Sequence, residues 1–426
     1  MKIRKNQLIF YIFVISSLLI GISLVKPKTD IEIYGPYFGF EEEYLQKELS
    51  LISEDLNIRI KYFPVIDVET YIVENSTSGN IPDIAIMPNP QGVTNLGERS
   101  IAIPVNNFLE DEHLKNIYPQ HLLDITTSLQ TEINYGAWFR LFPNSLIWYN
   151  VSKYEEIGSP EFTSYDELLL YSSKIGERGK EPWCLDSESG VASGWIATNW
   201  VEDLLLTTYG PEVYDDWWKL EIEASSNRMV SVFLDLGSLI FGSDNVYGGH
   251  VRLSSKEFMN LPSVLMDERS PCIFSWMGHF LSLYFPEQYV FGKDYDFFQF
   301  PSKNYKDSIV GIGDSLVLLN EEGVTIEVYK RLIDKDFGSY WMKQSDATFI
   351  PANIHSDIDQ ITNAITRKEA AIVRKALSQN LFKYDASELM SRPIGSDKLW
   401  DMLNSYMQSG YLASIYKHAA DLDTHY

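Results

Sequence analysis

Ile31-Glu32-Ile33-Tyr34-Gly35-Pro36 opens the stretch that decides the fold, and Phe40-Glu41-Glu42-Glu43-Tyr44-Leu45 follows it. Ile31 and Ile33 alternate with polar neighbours and read as a strand, which Gly35-Pro36 turns into a loop. From Phe40 to Asp55 the apolar residues Leu49 and Ile52 recur at helical spacing, with Leu56 next on that face. Ile58, Ile60 and Tyr62 alternate again as a second strand. Pro82-Asp83-Ile84-Ala85-Ile86-Met87 is a third short apolar run, closed by Pro88-Asn89-Pro90. Strand, helix, strand at this spacing predicts an α/β protein with a mostly parallel sheet. Ligands of such sheets bind beyond the carboxyl ends of the strands, which makes 34–40 and 87–90 candidate site loops.

The 426 residues suit two structural units, and 45% hydrophobic content supplies large cores. A formal charge of −24 argues against a nucleic-acid partner, because phosphate binding needs clustered Lys and Arg. The aromatic load, with 26 Tyr, 22 Phe and 10 Trp, suits a site that holds a ligand by flat apolar faces. Residues 1–28 carry a basic start, Lys2, Arg4 and Lys5, and an uncharged run from Leu8 to Val25. That pattern reads as an export signal or as a retained N-terminal anchor, so the body acts outside the cytoplasm. Cys184 and Cys272 are the only cysteines. In an exported chain such a pair is most simply a disulfide, the alternative being two buried thiols.

Catalytic signatures are absent. There is no G-x-x-x-x-G-K-[ST], no H-E-x-x-H and no G-x-S-x-G, and the seven His are scattered. Gly311-Ile312-Gly313-Asp314 starts like a dinucleotide fingerprint but lacks its last Gly. No Asp/Asn cluster resembles a calcium loop, so neither metal nor cofactor is implied.

Several segments together resemble the extracellular solute-binding proteins of carbohydrate ABC importers. They are Pro82-Asp83-Ile84-Ala85-Ile86-Met87-Pro88, Ser145-Leu146-Ile147-Trp148-Tyr149-Asn150, Phe162-Thr163-Ser164-Tyr165-Asp166-Glu167-Leu168 and Gly311-Ile312-Gly313-Asp314. The middle of the chain narrows this. Pro182-Trp183-Cys184, Ser193-Gly194-Trp195 and Ala197-Thr198-Asn199-Trp200-Val201-Glu202-Asp203 are similar to the α-glucoside subgroup, whose members bind sucrose, trehalose or glucosylglycerol. Asn199 stands where that subgroup commonly has Asp. Thr348-Phe349-Ile350-Pro351-Ala352-Asn353 also departs from the subgroup's pattern.

The resemblance implies an α/β, two-lobed periplasmic binding protein with a ligand cleft between the lobes. Lobe 1 would comprise 29–143 and 302–340, and lobe 2 would comprise 144–301 and 341–426. The partners implied are a small sugar or glycoside and permease subunits, with the chain itself a monomer. A sugar offers flat C–H faces and a ring of hydroxyls. Trp and Tyr can stack on the faces, and carboxylates, amides and Arg can answer the hydroxyls.

The candidates are Tyr37 and Asn89 on the early loops, Glu41 at the opening of the first helix, Trp138 and Arg140 at the first crossing, and Trp195, Asn199, Glu202, Asp203, Trp276 and Asp314. Each has a plainer alternative. Asn199 and Glu202 have the Asn-x-x-Glu form of a capped helix start, Glu41 can serve its helix N-terminus, Arg140 can sit in a structural ion pair, and the Trp residues can be core. A competing class is an exported glycan-active enzyme. A third is a sensor ectodomain held by an uncleaved N-terminus.

Overall fold

The computed structural model describes residues 30–190, 193–242, 245–302 and 304–425. The export or anchor segment, 1–28, lies outside them. In chain order the elements that place the site are β1 (Asp30–Gly35), α1 (Phe40–Leu56), β2 (Arg59–Pro64), β3 (Ile84–Met87) and α2 (Pro90–Glu98). They continue with α3 (Gln120–Ile125), β4 (Ala137–Pro143), β5 (Leu146–Asn150), α4 (Tyr165–Gly176), α5 (Trp195–Tyr209) and α6 (Pro211–Trp218). The last are β6 (Phe274–Trp276), β7 (Tyr295–Gln299), β8 (Ile309–Leu318), α7 (Ala364–Ser378), β9 (Phe382–Tyr384) and α8 (Ala386–Leu389).

The first sheet runs β2-β1-β3-β8-β4, and β9 joins the edge of β8. β1 pairs in parallel with β2 and β3, as the alternating strands and helix predict. β8 runs antiparallel to both β3 and β4, so the sheet is mixed rather than mostly parallel. The second sheet, β6-β5-β7, is antiparallel.

Each sheet has its own apolar core. Ile31, Ile33, Leu45, Ile84, Leu141, Leu318, Trp341 and Phe382 belong to the first. Leu146, Trp148, Trp183, Trp200, Phe233, Trp276, Phe297 and Leu403 belong to the second. Each fully buried side chain of this kind contributes roughly 1.5–3 kcal/mol, so each core can hold its own lobe.

The chain leaves the first core after Phe142 and enters the second at Leu146; it is back in the first by Ile309. A third crossing falls at Asp385, between Tyr384 of the first core and Ala386 of the second. The resemblance placed that crossing near Tyr340. The reason for the difference is packing: Trp341, Phe349, Ile350, Val373 and Leu377 all fill the first core, and β9 pairs with β8. Cys184 and Cys272 are joined in a disulfide, with Cα atoms 5.4 Å apart, inside the second lobe. No helix among the described residues is long and apolar enough to cross a membrane.

Candidate functional site

The first-lobe wall is built on the β4–β8 pair. Arg140 on β4 stands opposite Asp314 on β8. Asp314 is therefore a strand residue. Gly311 and Gly313 are needed because a Cβ at either position would strike the backbone of Phe142 or Arg140 across the ladder. Arg140 donates from Nε to Asp314 at 2.5 Å, and from Nη1 to Glu41 at 2.5 Å and to the Thr348 carbonyl at 3.0 Å. Tyr37 donates its hydroxyl to Asp314 at 2.6 Å, and its ring lies 4.2 Å under the guanidinium carbon. Thr348 Oγ1 donates to Glu41 at 2.7 Å. Burial opposes the Arg140 charge, but Glu41, Tyr37 and Asp314 outweigh it and hold the group well above its ordinary pKa. Tyr37, Glu41, Arg140 and Asp314, far apart in sequence, thus meet in one network.

A second cluster lies across the crossing. Phe142 continues the β4 face from Arg140, whose guanidinium is 5.0 Å from its ring centre. His279 stacks on Phe142, centroids 4.1 Å apart and planes at 7°, and so joins the two lobes. Burial, then the Arg140 charge, push His279 down to about 3, so its ring stays neutral. Phe280 follows, 5.2 Å from Trp195, which also meets Phe258 edge-on at 5.4 Å.

Asn199 lies one helical turn from Trp195 on α5, so both face the same way. Three buried polar atoms of residues that adjoin this cluster have no hydrogen-bond partner among the described residues: Asn144 Oδ1, Asn199 Oδ1 and Trp400 Nε1. Asn144 lies beside Gly278 and Phe280, and Trp400 packs on Gly194 just before Trp195. Orphaned polar groups of this kind cost about 1–3 kcal/mol each unless a ligand or water answers them. Two acceptors and one donor on residues adjoining flat rings are groups that can answer sugar hydroxyls.

Other candidates sit elsewhere. Trp138 is buried, donates Nε1 to the Leu122 carbonyl at 2.6 Å and packs on Tyr384, so it is a core residue of the first lobe. Trp276 is 1% exposed, stacked on Phe300 at 4.5 Å, and donates Nε1 to Asp203 at 2.7 Å. The other Asp203 oxygen accepts from Ser145 Oγ, the residue that links β4 to β5. Both Asp203 oxygens are therefore spent inside the protein.

Glu202 accepts from Ser387 N at 3.1 Å and from Tyr214 Oη at 3.3 Å, which ties α5 to α8. Burial, then Asp385, hold Glu202 well above the carboxylate range. Burial likewise pushes Asp203 up to about 7, and with Asp385 as its neighbour Glu388 rises to about 8. Asn199 and Glu202 do not cap a helix. α5 begins earlier, at Trp195, because Gly194 adopts φ 124° against the Trp400 backbone, where a Cβ would collide. Asn89 caps α2, accepting from Gln91 N at 2.8 Å.

Residues 75–256 match the family model described as bacterial extracellular solute-binding protein. The chain is 26% identical over 389 residues to the osmoprotective compounds-binding protein GgtB of Synechocystis, an alignment covering 91% of this chain and 90% of that one. The chain is thus similar to bacterial extracellular solute-binding proteins. The α-glucosides-binding periplasmic protein AglE of Rhizobium meliloti is 27% identical to this chain over 379 residues, covering 87% of this chain and 81% of AglE. Among solved structures the solute receptor AcbH superposes with a TM-score of 0.76 at 12% identity, over 94% of this chain and 98% of AcbH. Maltose-bound MalE3 of T. maritima gives 0.63 at 13% identity, over 93% and 100%. The fold is thus the two-lobed one of periplasmic binding proteins.

Sequence reading passed over His279, Phe280, Asn144 and Trp400. Met277-Gly278-His279-Phe280, two rings after a glycine at the end of an apolar strand, carried a signal for the first two. Nothing local marked Asn144 or Trp400, which reach the site only through the crossings of the chain.

Proposed function

We propose that the chain is the substrate-binding component of an ABC sugar importer and binds an α-glucoside-type ligand, such as glucosylglycerol, sucrose or trehalose, between its lobes. It acts as a binder and not as an enzyme, outside the cytoplasm, and hands its ligand to permease subunits as a monomer. Residues 1–28 serve as its export signal or as a retained anchor. Lobe 1 comprises 30–143 and 309–384, and lobe 2 comprises 145–300 and 386–423.

One observation carries this reading. The residues with orphaned polar groups, Asn144, Asn199 and Trp400, adjoin the Trp195–Phe280 cluster in space or along α5, and the Phe142–His279 stack links that cluster to the Glu41–Arg140–Asp314 network. Two relatives that span nearly the whole chain are named for osmoprotectants and α-glucosides. The ligand ring lies on Trp195 and Phe280. Its hydroxyls meet the amides of Asn144 and Asn199, and Glu41 and Arg140 close over it from the first lobe. Asp203, Glu202, Trp138 and Trp276 support these walls from behind, and Asn89 holds the loop after β3.

A thermal-shift panel of glucosylglycerol, sucrose, trehalose, maltose and glucose tests this. At least one α-glucoside should raise Tm and be recovered unchanged. Released glucose, or no shift with any of them, would overturn the proposal.

A further inference from the structure

A second cavity, of about 360 Å³, opens between the lobes and shares no lining residue with the cleft network or the Trp195–Phe280 cluster. His121 on α3 and Leu129 form its first-lobe side, and Tyr214 and Trp218 on α6 form its second-lobe side. Lys383 and Tyr384 on β9 line it between them. Its volume is at the small end of ligand sites, which run to roughly 300–1,000 Å³.

The chemistry of the lining is specific in one respect. His121 Nδ1 lies 3.1 Å from Asn380 Oδ1, an oxygen that only accepts, so Nδ1 carries the proton. Nε2 is then a bare acceptor, and it is buried with no partner among the described residues. Burial, then the Lys383 charge, favour this neutral ring. Lys383 pairs with Asp215 at 2.6 Å, and Asp124, Glu132 and Lys219 also line the cavity, so three acids stand against two bases and an anionic guest is disfavoured. Tyr214, Trp218 and Tyr384 supply the rings.

We propose that this cavity is a second binding site, for a small neutral hydroxylated molecule of monosaccharide or short-polyol size, whose hydroxyl donates to His121 Nε2. Its sides come from different lobes, so a guest touching both fits best at one lobe separation. Binding there is therefore coupled to binding in the cleft, and the coupling is reciprocal. The inference rests on the two-lobed reading and not on which sugar fills the cleft.

The test uses the full exported protein with ¹⁵N-labelled Trp and His, titrated with glucose and separately with glycerol. It is run in wild type and in Trp195→Ala, which disables the cleft. The Trp218 indole and His121 Nε2 resonances should move in both proteins. His121→Phe should abolish the Trp218 shift; Trp218→Ala should abolish the His121 shift if that first variant folds poorly. In wild type, saturating glycerol should change the cleft affinity for the best sugar of the thermal panel by about fivefold or more. Resonances that stay still in both proteins, or that move only while the cleft is intact, overturn the site. Moving resonances with unchanged cleft affinity overturn the coupling. Failure of the thermal panel alone would sink the cleft reading and with it the coupling, and would leave the second site itself standing.

Discussion

Asp203 gives the sharpest test of how the second lobe is held to its crossing. It is 1% exposed, accepts from Trp276 Nε1 at 2.7 Å, and also accepts from Ser145 Oγ. Burial raises it to about 7, despite the two donors that favour the ion. An unfolded Asp titrates near ~3.9, and each pH unit between the two values is worth ~1.36 kcal/mol. The folded state thus holds the proton more tightly. Stability from this group is fully present below about pH 4, falls as pH rises toward 7, and is flat beyond; the total loss is at most roughly 4 kcal/mol.

Asp203→Asn cannot ionise, and its amide oxygen can still accept from Trp276. Its NH₂ can donate to Ser145 Oγ, whose proton then turns to the Val310 carbonyl, 3.4 Å away. The variant should therefore gain on wild type as pH rises from 4 to 8. Asp203→Ala leaves Trp276 Nε1 unmet, at about 1–3 kcal/mol, and should melt lower at every pH. For a unit of 150–250 residues each kcal/mol is roughly 2–4 °C in Tm. Calorimetric melts of the three proteins at pH 5 and pH 8 decide the matter. If the gap between Asp203→Asn and wild type is the same at both pH values, the buried carboxyl is not the proton site described here.

Arg140→Ala strands Glu41 and Asp314, and losing one partner of a pair this buried costs about 3–5 kcal/mol. Arg140→Lys should rescue little of it, because one ammonium lacks the fork that reaches both acids, as thermal melts would show. Trp195→Ala and Phe280→Ala should weaken all accepted sugars together. Asn199→Ala should be selective among sugars that differ at one hydroxyl, measured by titration calorimetry on matched pairs. Replacing Cys184 and Cys272 by Ser opens a loop with a sequence separation of 88, which chain entropy values at roughly 4 kcal/mol. Alkylation of the denatured chain without reductant should add no label, and two labels would contradict the bridge.

Local patterns carried much of the fold. Ile31 and Ile33 alternate as β1 and Phe40 opens α1, each as its residues predict. The antiparallel course of β8 was hidden, because direction depends on where a distant strand returns and not on its own side chains. α5 misled for a related reason. Twelve of its residues are buried, on all sides, so its apolar stripe carried no inward direction, and its start is fixed by contact with Trp400 rather than by a polar cap. At the site, Arg140 and Asp314 were legible as charges in apolar surroundings. Trp138 and Trp276 were not separable from Trp195 in sequence. What separates them is a carbonyl or a carboxylate waiting in the core for their indole N–H, and that is a tertiary fact.

The most direct measurement is a crystal structure of the protein with the best sugar of the thermal panel. Difference density for one sugar ring should lie against Trp195 and Phe280, with hydroxyls within hydrogen-bond distance of Asn144 Oδ1 and Asn199 Oδ1 and with Glu41 and Arg140 on the facing side. A sugar bound elsewhere, with those two amide oxygens still unpartnered, would contradict the account.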